Sequence, residues 1–357
     1  MASAITMPFA FNREELKDLS KVIGERFYNH PSITELHDIE QGVKYDTQIL
    51  FAQRLGLLAK KITGCTPASA SGLTFSEKTW VPKDFSFRLE HCSADVNVQN
   101  KLLRQFEKMN PDFYNILEGM GVSAIGQFLI GFIEQALIED ILYKIWWSDT
   151  NAATITGLGV FDDTFDVDFI NVIDGLWAQI ETAIPSGDAN HVDIAKNAGA
   201  SYALQALAAD EADGILKAMY AKADSRLLTD PDIKILVTRS LYENYMTTLE
   251  KVQGNGGITQ YGEDGNPILK FRGITLVNMG NLWDVFIKSY MDNGTTLHIP
   301  HRALLTVKAN IPVATVNEND FSALNAFFAD YQNLNVIDGA FNLDVKFLEK
   351  YLAVAAY

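Results

Sequence analysis

The stretch Asp230–Met279, DPDIKILVTRSLYENYMTTLEKVQGNGGITQYGEDGNPILKFRGITLVNM, decides the reading of this chain. Asp230-Pro231 leads into Ile233, Ile235 and Val237, a short apolar run of the kind that forms a buried strand. Leu241 to Val252 reads as a helix. Gly254-Asn255-Gly256-Gly257 and Asp264-Gly265 are hairpin residues, because they accept positive φ at little steric cost. Phe271-Arg272-Gly273-Ile274-Thr275-Leu276-Val277 then reads as a second strand. The glycine cluster lacks the Lys-Ser/Thr that would follow a phosphate-binding loop, and no residue of the stretch is placed for catalysis.

Upstream lies the longest clean helix. Ile125, Phe128, Leu129, Phe132, Ile133, Ala136, Leu137, Ile141 and Ile145 follow the i, i+3, i+4, i+7 spacing of one apolar face. A helix over Val122–Trp147 would reach roughly 40 Å at 1.5 Å per residue. Ahead of it, a small-residue, turn-prone segment (Thr63–Gly72) gives way to two extended runs, Thr74–Val81 and Phe85–His91, separated by Pro82-Lys83-Asp84. The second alternates apolar and polar residues, and the two runs are expected to pair as a hairpin. A lone two-stranded hairpin is marginal in water, so it needs another surface. Asn12 can cap a helix over Arg13–Tyr28, whereas Ile33–Ala59 shows no closed core of its own. Downstream, Asp166 or Asp168 can cap a helix running through Ile170, Trp177 and Ile180. A helix fits Ala208–Ala223 and another Leu282–Met291. Thr296–Thr315 reads as strand pieces broken by Pro300 and Pro312, with short elements at Phe321–Tyr331 and Val345–Val354.

At 357 residues, 48% hydrophobic and 21% charged, the chain suits two closely packed folded domains. Its net charge of −16 and the absence of any basic run argue against sequence-specific nucleic-acid binding. Cys65 and Cys92 form no metal spacing and read as free thiols of a reducing compartment. Met1–Phe11 lacks the pattern of a secretory leader, and the apolar stretch near Phe128–Leu142 is broken by Glu134, Glu139 and Asp140, so no membrane span is expected.

Candidate chemical sites are few. Asp162, Asp163, Asp166 and Asp168 offer oxygen ligands, but without the glycine turn and closing glutamate of an EF-hand; a solvated loop with a helix cap is the plainer reading, and a bound cation stays open. His298 and His301 flank Ile299-Pro300, which argues against a helical metal pair. His191 has no serine or cysteine partner by motif. Trp146 and Trp147 suit packing in a core or an interface. No nucleophile, base and orienting residue emerge together, so neither a catalytic residue nor a cofactor or metal site is expected.

The order of these elements resembles the major capsid proteins of tailed bacteriophages, the α+β Hong Kong 97-type fold. The strongest local match is Asp232–Leu249 followed by Leu269–Val277. The resemblance implies an N-terminal arm (1–60), an extended hairpin loop (61–98), a peripheral domain with a long spine helix (99–160), an axial domain (161–315) and a C-terminal return to the peripheral domain (316–357). It implies a structural protein, not an enzyme. Such a homo-oligomer self-assembles into hexamers and pentamers of an icosahedral shell that encloses DNA without reading its sequence. Portal protein, and scaffolding or decoration proteins where present, are its implied partners. Assembly in the host cytoplasm and a place in the virion capsid follow. On this reading the hairpin loop lays Trp80, Phe85, Phe87 and Leu89 on a neighbouring subunit, and Phe87→Asp blocks assembly more than folding. No long charged coiled-coil segment begins the chain, so scaffolding would come from a separate protein or from none. Three alternatives remain: an encapsulin-like nanocompartment shell, a two-domain cytoplasmic enzyme whose dispersed residues would include His191 and the aspartates of 162–168, and a soluble binding module.

Overall fold

The computed structural model of the protein describes residues 31–43, 47–52, 75–92, 123–253, 268–316, 323–329 and 334–357. The strands, in chain order, are β1 (Ile39–Glu40), β2 (Gln48–Ala52), β3 (Phe75–Thr79), β4 (Lys83–Cys92), β5 (His191–Val192), β6 (Ile233–Val237), β7 (Lys270–Phe271), β8 (Ile274–Asn278), β9 (Ala303–Val307), β10 (Val313–Ala314), β11 (Ala323–Ala329), β12 (Leu334–Val345) and β13 (Ala353–Ala356). Six of them form one mixed sheet in the order β5-β13-β9-β6-β8-β7. β6 and β8 are parallel, so the chain must cross over between them, and the Arg239–Gln253 helix lies in that connection.

This sheet is buried on both faces, which is why its strands read as nearly unbroken apolar runs. Alternate residues feed two cores. Leu236, Leu304, Ala353 and Ala355 face one core, built with the end of the long helix, the Leu176–Ala183 helix and the Trp283–Tyr290 helix. Ile235, Val237, Ala303, Leu305, Val354 and Ala356 face the other, under the Glu211–Lys222 and Arg239–Gln253 helices. The first core is aromatic. Trp283 meets Trp146 at 4.9 Å and Trp177 at 5.0 Å, both edge-on, and Trp147 stacks on Phe286 at 5.1 Å. The Arg302 guanidinium lies within 4.7 Å of the Trp177 ring centre and 5.1 Å of the Trp147 ring centre, and donates to Glu181 at 2.5 Å. Cation–π contact and an ion pair let this arginine remain 2% exposed.

The long helix spans Ser123–Trp147, 25 residues, and so reaches about 37 Å. The order that the capsid resemblance implies is present in the described residues: extended strands, then this helix, then the six-stranded sheet. A five-stranded sheet, β1-β10-β12-β11 with β4 on β12, forms the other half, and β2 pairs with β3 alone.

Several expectations are corrected. The runs before and after Pro82 do not form a hairpin with each other: β3 pairs with β2, and β4 pairs with β12 over ten residues, from Lys83↔Leu343 to Cys92↔Leu334. A local turn lost to a non-local partner because β12 alternates Ile337, Phe341, Leu343 and Val345 on one side. Phe271–Val277 is two strands, since Arg272 (φ 50°) and Gly273 (φ 88°) make a two-residue turn between β7 and β8. The helix read through Ile170 begins only at Leu176; Asp166 caps a short 3-10 turn at Val167–Phe169 instead. Gly175 lies against the Ser148 backbone, where a Cβ would come within 2.8 Å of the Ser148 nitrogen. The segment 316–357 divides, with β11 and β12 in the five-stranded sheet and β13 between β5 and β9 in the six-stranded one. Residues 31–43 join the fold rather than standing off it, for Ile33 and Leu36 are buried in the aromatic core. The helix expected at Arg13–Tyr28, most of the segment 61–98, residues 99–122 and the Gly254–Gly265 hairpin lie outside the described residues.

Candidate assembly surface

β4 changes environment along its length. Phe85 is 6% exposed and stacks on Phe341 at 5.3 Å, with the Lys144 ammonium of the long helix over its other surroundings at 5.4 Å. Phe87, two residues on and opposite Gly339, is half-buried. Leu89, two further, is 49% exposed although its cross-strand neighbour Ile337 is buried. Arg88 and Glu90 pair with each other at 2.8 Å on the solvent side. The strand is thus rooted at its Phe85 end and presented at its Leu89 end.

The four residues expected to meet a neighbour therefore separate. Trp80 is fully enclosed by this chain: it packs with Val43 and Ala314 and donates its indole N–H to Glu40 at 3.1 Å. Phe85 is likewise used inside the molecule. Their burial corrects the expectation that all four project outward; of the other two, Phe87 is half-buried and Leu89 exposed. Asp344 Oδ2 takes the Val81 N–H at 2.7 Å and so ties the segment between β3 and β4 to β12.

Leu158 is a second exposed apolar group, one that the sequence reading missed. It is 98% exposed and sits at φ 64°, a left-handed conformation that costs a leucine roughly 1 kcal/mol. The loop is braced: Leu158 N–H donates to Ile155 O, Gly159 N–H to Thr154 O, and Ile155 N–H to Phe161 O. Its only sequence signal is the Gly157-Leu158-Gly159 run.

The aspartates are turn formers. Asp162 accepts from Thr164 N–H at 2.7 Å and from its hydroxyl, Asp163 from Thr156 N–H, Asp166 from Asp168 N–H, and Asp168 from Asn171. Donation from Thr164 and Thr156 holds Asp162 and Asp163 below the usual carboxylate range. Among the described residues no group of three or more His, Cys, Asp or Glu is arranged to hold a metal ion. His191 packs edge-on against Tyr357 at 4.4 Å, and burial lowers its pKa; the charged groups acting on it are Asp193, Lys222 and Asp188, none of them from 162–168. His298 is held neutral by burial, its pKa lowered to about 4.

His301 is more informative. Its Nε2 lies 2.6 Å from Gln205 O, which can only accept, so Nε2 carries the proton and Nδ1 accepts from Ser240 Oγ at 2.6 Å. Burial keeps the ring neutral. Serine, histidine and an orienting carbonyl thus meet beside a cavity of about 270 Å3, a constellation no local motif announces. Asp284 and Glu243 line the same cavity together with Arg239 and Lys288, and Asp284 takes the Arg239 N–H at the helix start, at 2.9 Å. The Ser240–His301 bond ties the 298–302 segment to the Arg239–Gln253 helix. No described helix is long and apolar enough to cross a membrane.

No protein-family model matches this chain, and no curated protein matches it. Solved structures do. The chain is similar to one of the satellite phage P4 procapsid, at 11% identity over 95% of this chain and 98% of that one, with a TM-score of 0.47. It is similar to the capsid of a native GTA particle, at 9% identity over 91% and 89%, with a TM-score of 0.49. It is also similar to the holo-SrpI encapsulin complex from Synechococcus elongatus PCC 7942, at 8% identity over 93% and 88%, with a TM-score of 0.45. These are likenesses in the course of the chain across nearly its whole length.

Proposed function

We propose that this chain is the major capsid protein of a tailed bacteriophage, with a Hong Kong 97-type fold, building hexamers and pentamers of an icosahedral shell around a DNA genome. The observation that carries this reading is β4: a ten-residue strand anchored by Phe85 in the main core and laid open at Phe87 and Leu89. A monomer gains nothing from an apolar strand end in water; a neighbouring copy that covers it does. The 25-residue helix supplies a stiff rod beside it. Each such contact is weak, and many repeated ones make a durable shell. The acidic chain suits a wall that confines DNA without gripping it. A portal complex, and scaffolding or decoration proteins where present, are the partners this role calls for. The role is structural, with the Ser240–His301 pair as a strut.

Negative-stain electron microscopy of the purified full chain tests the proposal. Closed shells or capsomer rings are the expected result; a monomer or dimer under every ionic condition, with native circular dichroism, would overturn it. Shells that form only around a co-purifying protein cargo, with no genome, would move the chain to the encapsulin-like reading.

A further inference from the structure

We infer that the cavity between β3, the end of β12 and the turn after the long helix is a binding site for a phosphate-class anion, either a free phosphate ion or the phosphodiester of a nucleic acid. The inference is independent of the shell reading. The cavity holds about 410 Å3 and is lined by Lys78 of β3, Lys83 at the start of β4 and Lys346 just after β12. In a chain of net charge −16, three elements thus bring three lysines to one recess, although no basic run stands in the sequence.

The acceptors of the wall are already engaged. Asp344 accepts the Val345 N–H at 2.8 Å, the Val81 N–H at 2.7 Å and the Lys346 ammonium at 3.1 Å. Asp174 accepts the Thr150 N–H at 3.0 Å and the Thr150 hydroxyl at 2.6 Å. Gln179 donates to the Asp174 and Val345 carbonyls and accepts the Phe347 N–H. The lysines still have hydrogens to give. Lys78 carries three and donates one to the Phe347 carbonyl. The Lys83 ammonium has no partner among the described residues. Lys78 is half-buried; burial first, and the Lys346 charge second, hold its pKa below the ordinary lysine value, with Glu349 acting the other way. Two ammonium groups that oppose each other beside occupied carboxylates are both stabilised by one shared anion. A tetrahedral phosphate turns oxygens to several sides at once, which suits lysines that arrive from different elements.

Calorimetric titration of the full chain with inorganic phosphate, against chloride at matched ionic strength, tests the site. Saturable binding is expected. It should weaken roughly tenfold in Lys78→Met and in Lys346→Met, and hold in Lys217→Met, which removes an exposed lysine of the Glu211–Lys222 helix. Methionine keeps an unbranched stem, and circular dichroism checks each fold, so either cavity variant can carry the test if the other fails to fold. A parallel titration with a short single-stranded DNA separates the two sources. DNA binding that is lost in Lys78→Met identifies the phosphodiester; phosphate binding without DNA binding identifies the free ion. No saturable binding of either, or equal binding by all three variants, would overturn the inference and leave the shell reading untouched.

Discussion

The two large sheets use similar strand chemistry to different ends. In the six-stranded sheet, β6, β9 and β13 bury alternate residues in two cores, and the four residues of β13, Ala353 to Ala356, are each at most 1% exposed. In the five-stranded sheet β4 is buried at one end only. The first arrangement gives stability to a single molecule. The second leaves an apolar strand end that a single molecule cannot cover. The comparison teaches that the same alternation completes a core where both flanks are occupied and leaves apolar surface where one flank is open.

That contrast can be broken or sharpened by substitution. The largest effect should come from Trp283→Ala, which empties the junction of Trp146 and Trp177: a loss of about 3–5 kcal/mol in urea unfolding. A loss below about 1 kcal/mol would mean the aromatic core is not what holds this half together.

Next comes acid. His37 is fully buried and its Nδ1 lies 2.9 Å from Ile311 O; burial lowers its pKa from 6.5 to about 4. Between those values the unfolded chain binds the proton and the folded chain does not, so stability falls as pH drops from 6.5 toward 4. The loss should reach about 3 kcal/mol. Urea unfolding of His37→Gln should show a flatter dependence across that window, and an unchanged slope would remove His37 from the account.

Glu181→Gln leaves the Arg302 guanidinium between Trp147 and Trp177 without its carboxylate. Because Glu181 is itself 35% exposed, the cost should be moderate, about 1–3 kcal/mol, measured by thermal or urea unfolding. Leu89→Asp should change unfolding by no more than about 0.5 kcal/mol yet abolish shells in the microscope. Phe87→Asp should do the same with a somewhat larger stability cost, being half-buried. Normal shells from both variants would erase the distinction between the two sheets.

Legibility followed the range of the interactions. The long helix was readable to within one residue because it is a long apolar run without proline, too long for a strand. β6 was readable as a short apolar run, and the Arg239–Gln253 helix by its one-sided apolar spacing. The partner of β4 was not, since Pro82-Lys83-Asp84 suggests a local hairpin and the competing strand, β12, lies some 250 residues away in sequence. β12 carried a signal in the alternation of Ile337, Phe341, Leu343 and Val345 that the reading of short terminal elements passed over. The candidate surface was half legible. Phe85, Phe87 and Leu89 share one strand and Trp80 precedes it, but which of them is exposed depends on what covers them.

The amino-acid sequence by itself therefore determined the long helix, the acidic character and the order in which a strand, a rod and a sheet follow one another. Propensity and periodicity act between near neighbours, and they need no partner to be read. Tertiary structure alone decided that Trp80 and Phe85 belong to the interior while Leu89 and Leu158 do not, that β13 joins the central sheet, and that His301 finds Ser240 across 61 residues. Burial and hydrogen-bond partners are properties of which distant segments meet, and no single segment carries that information.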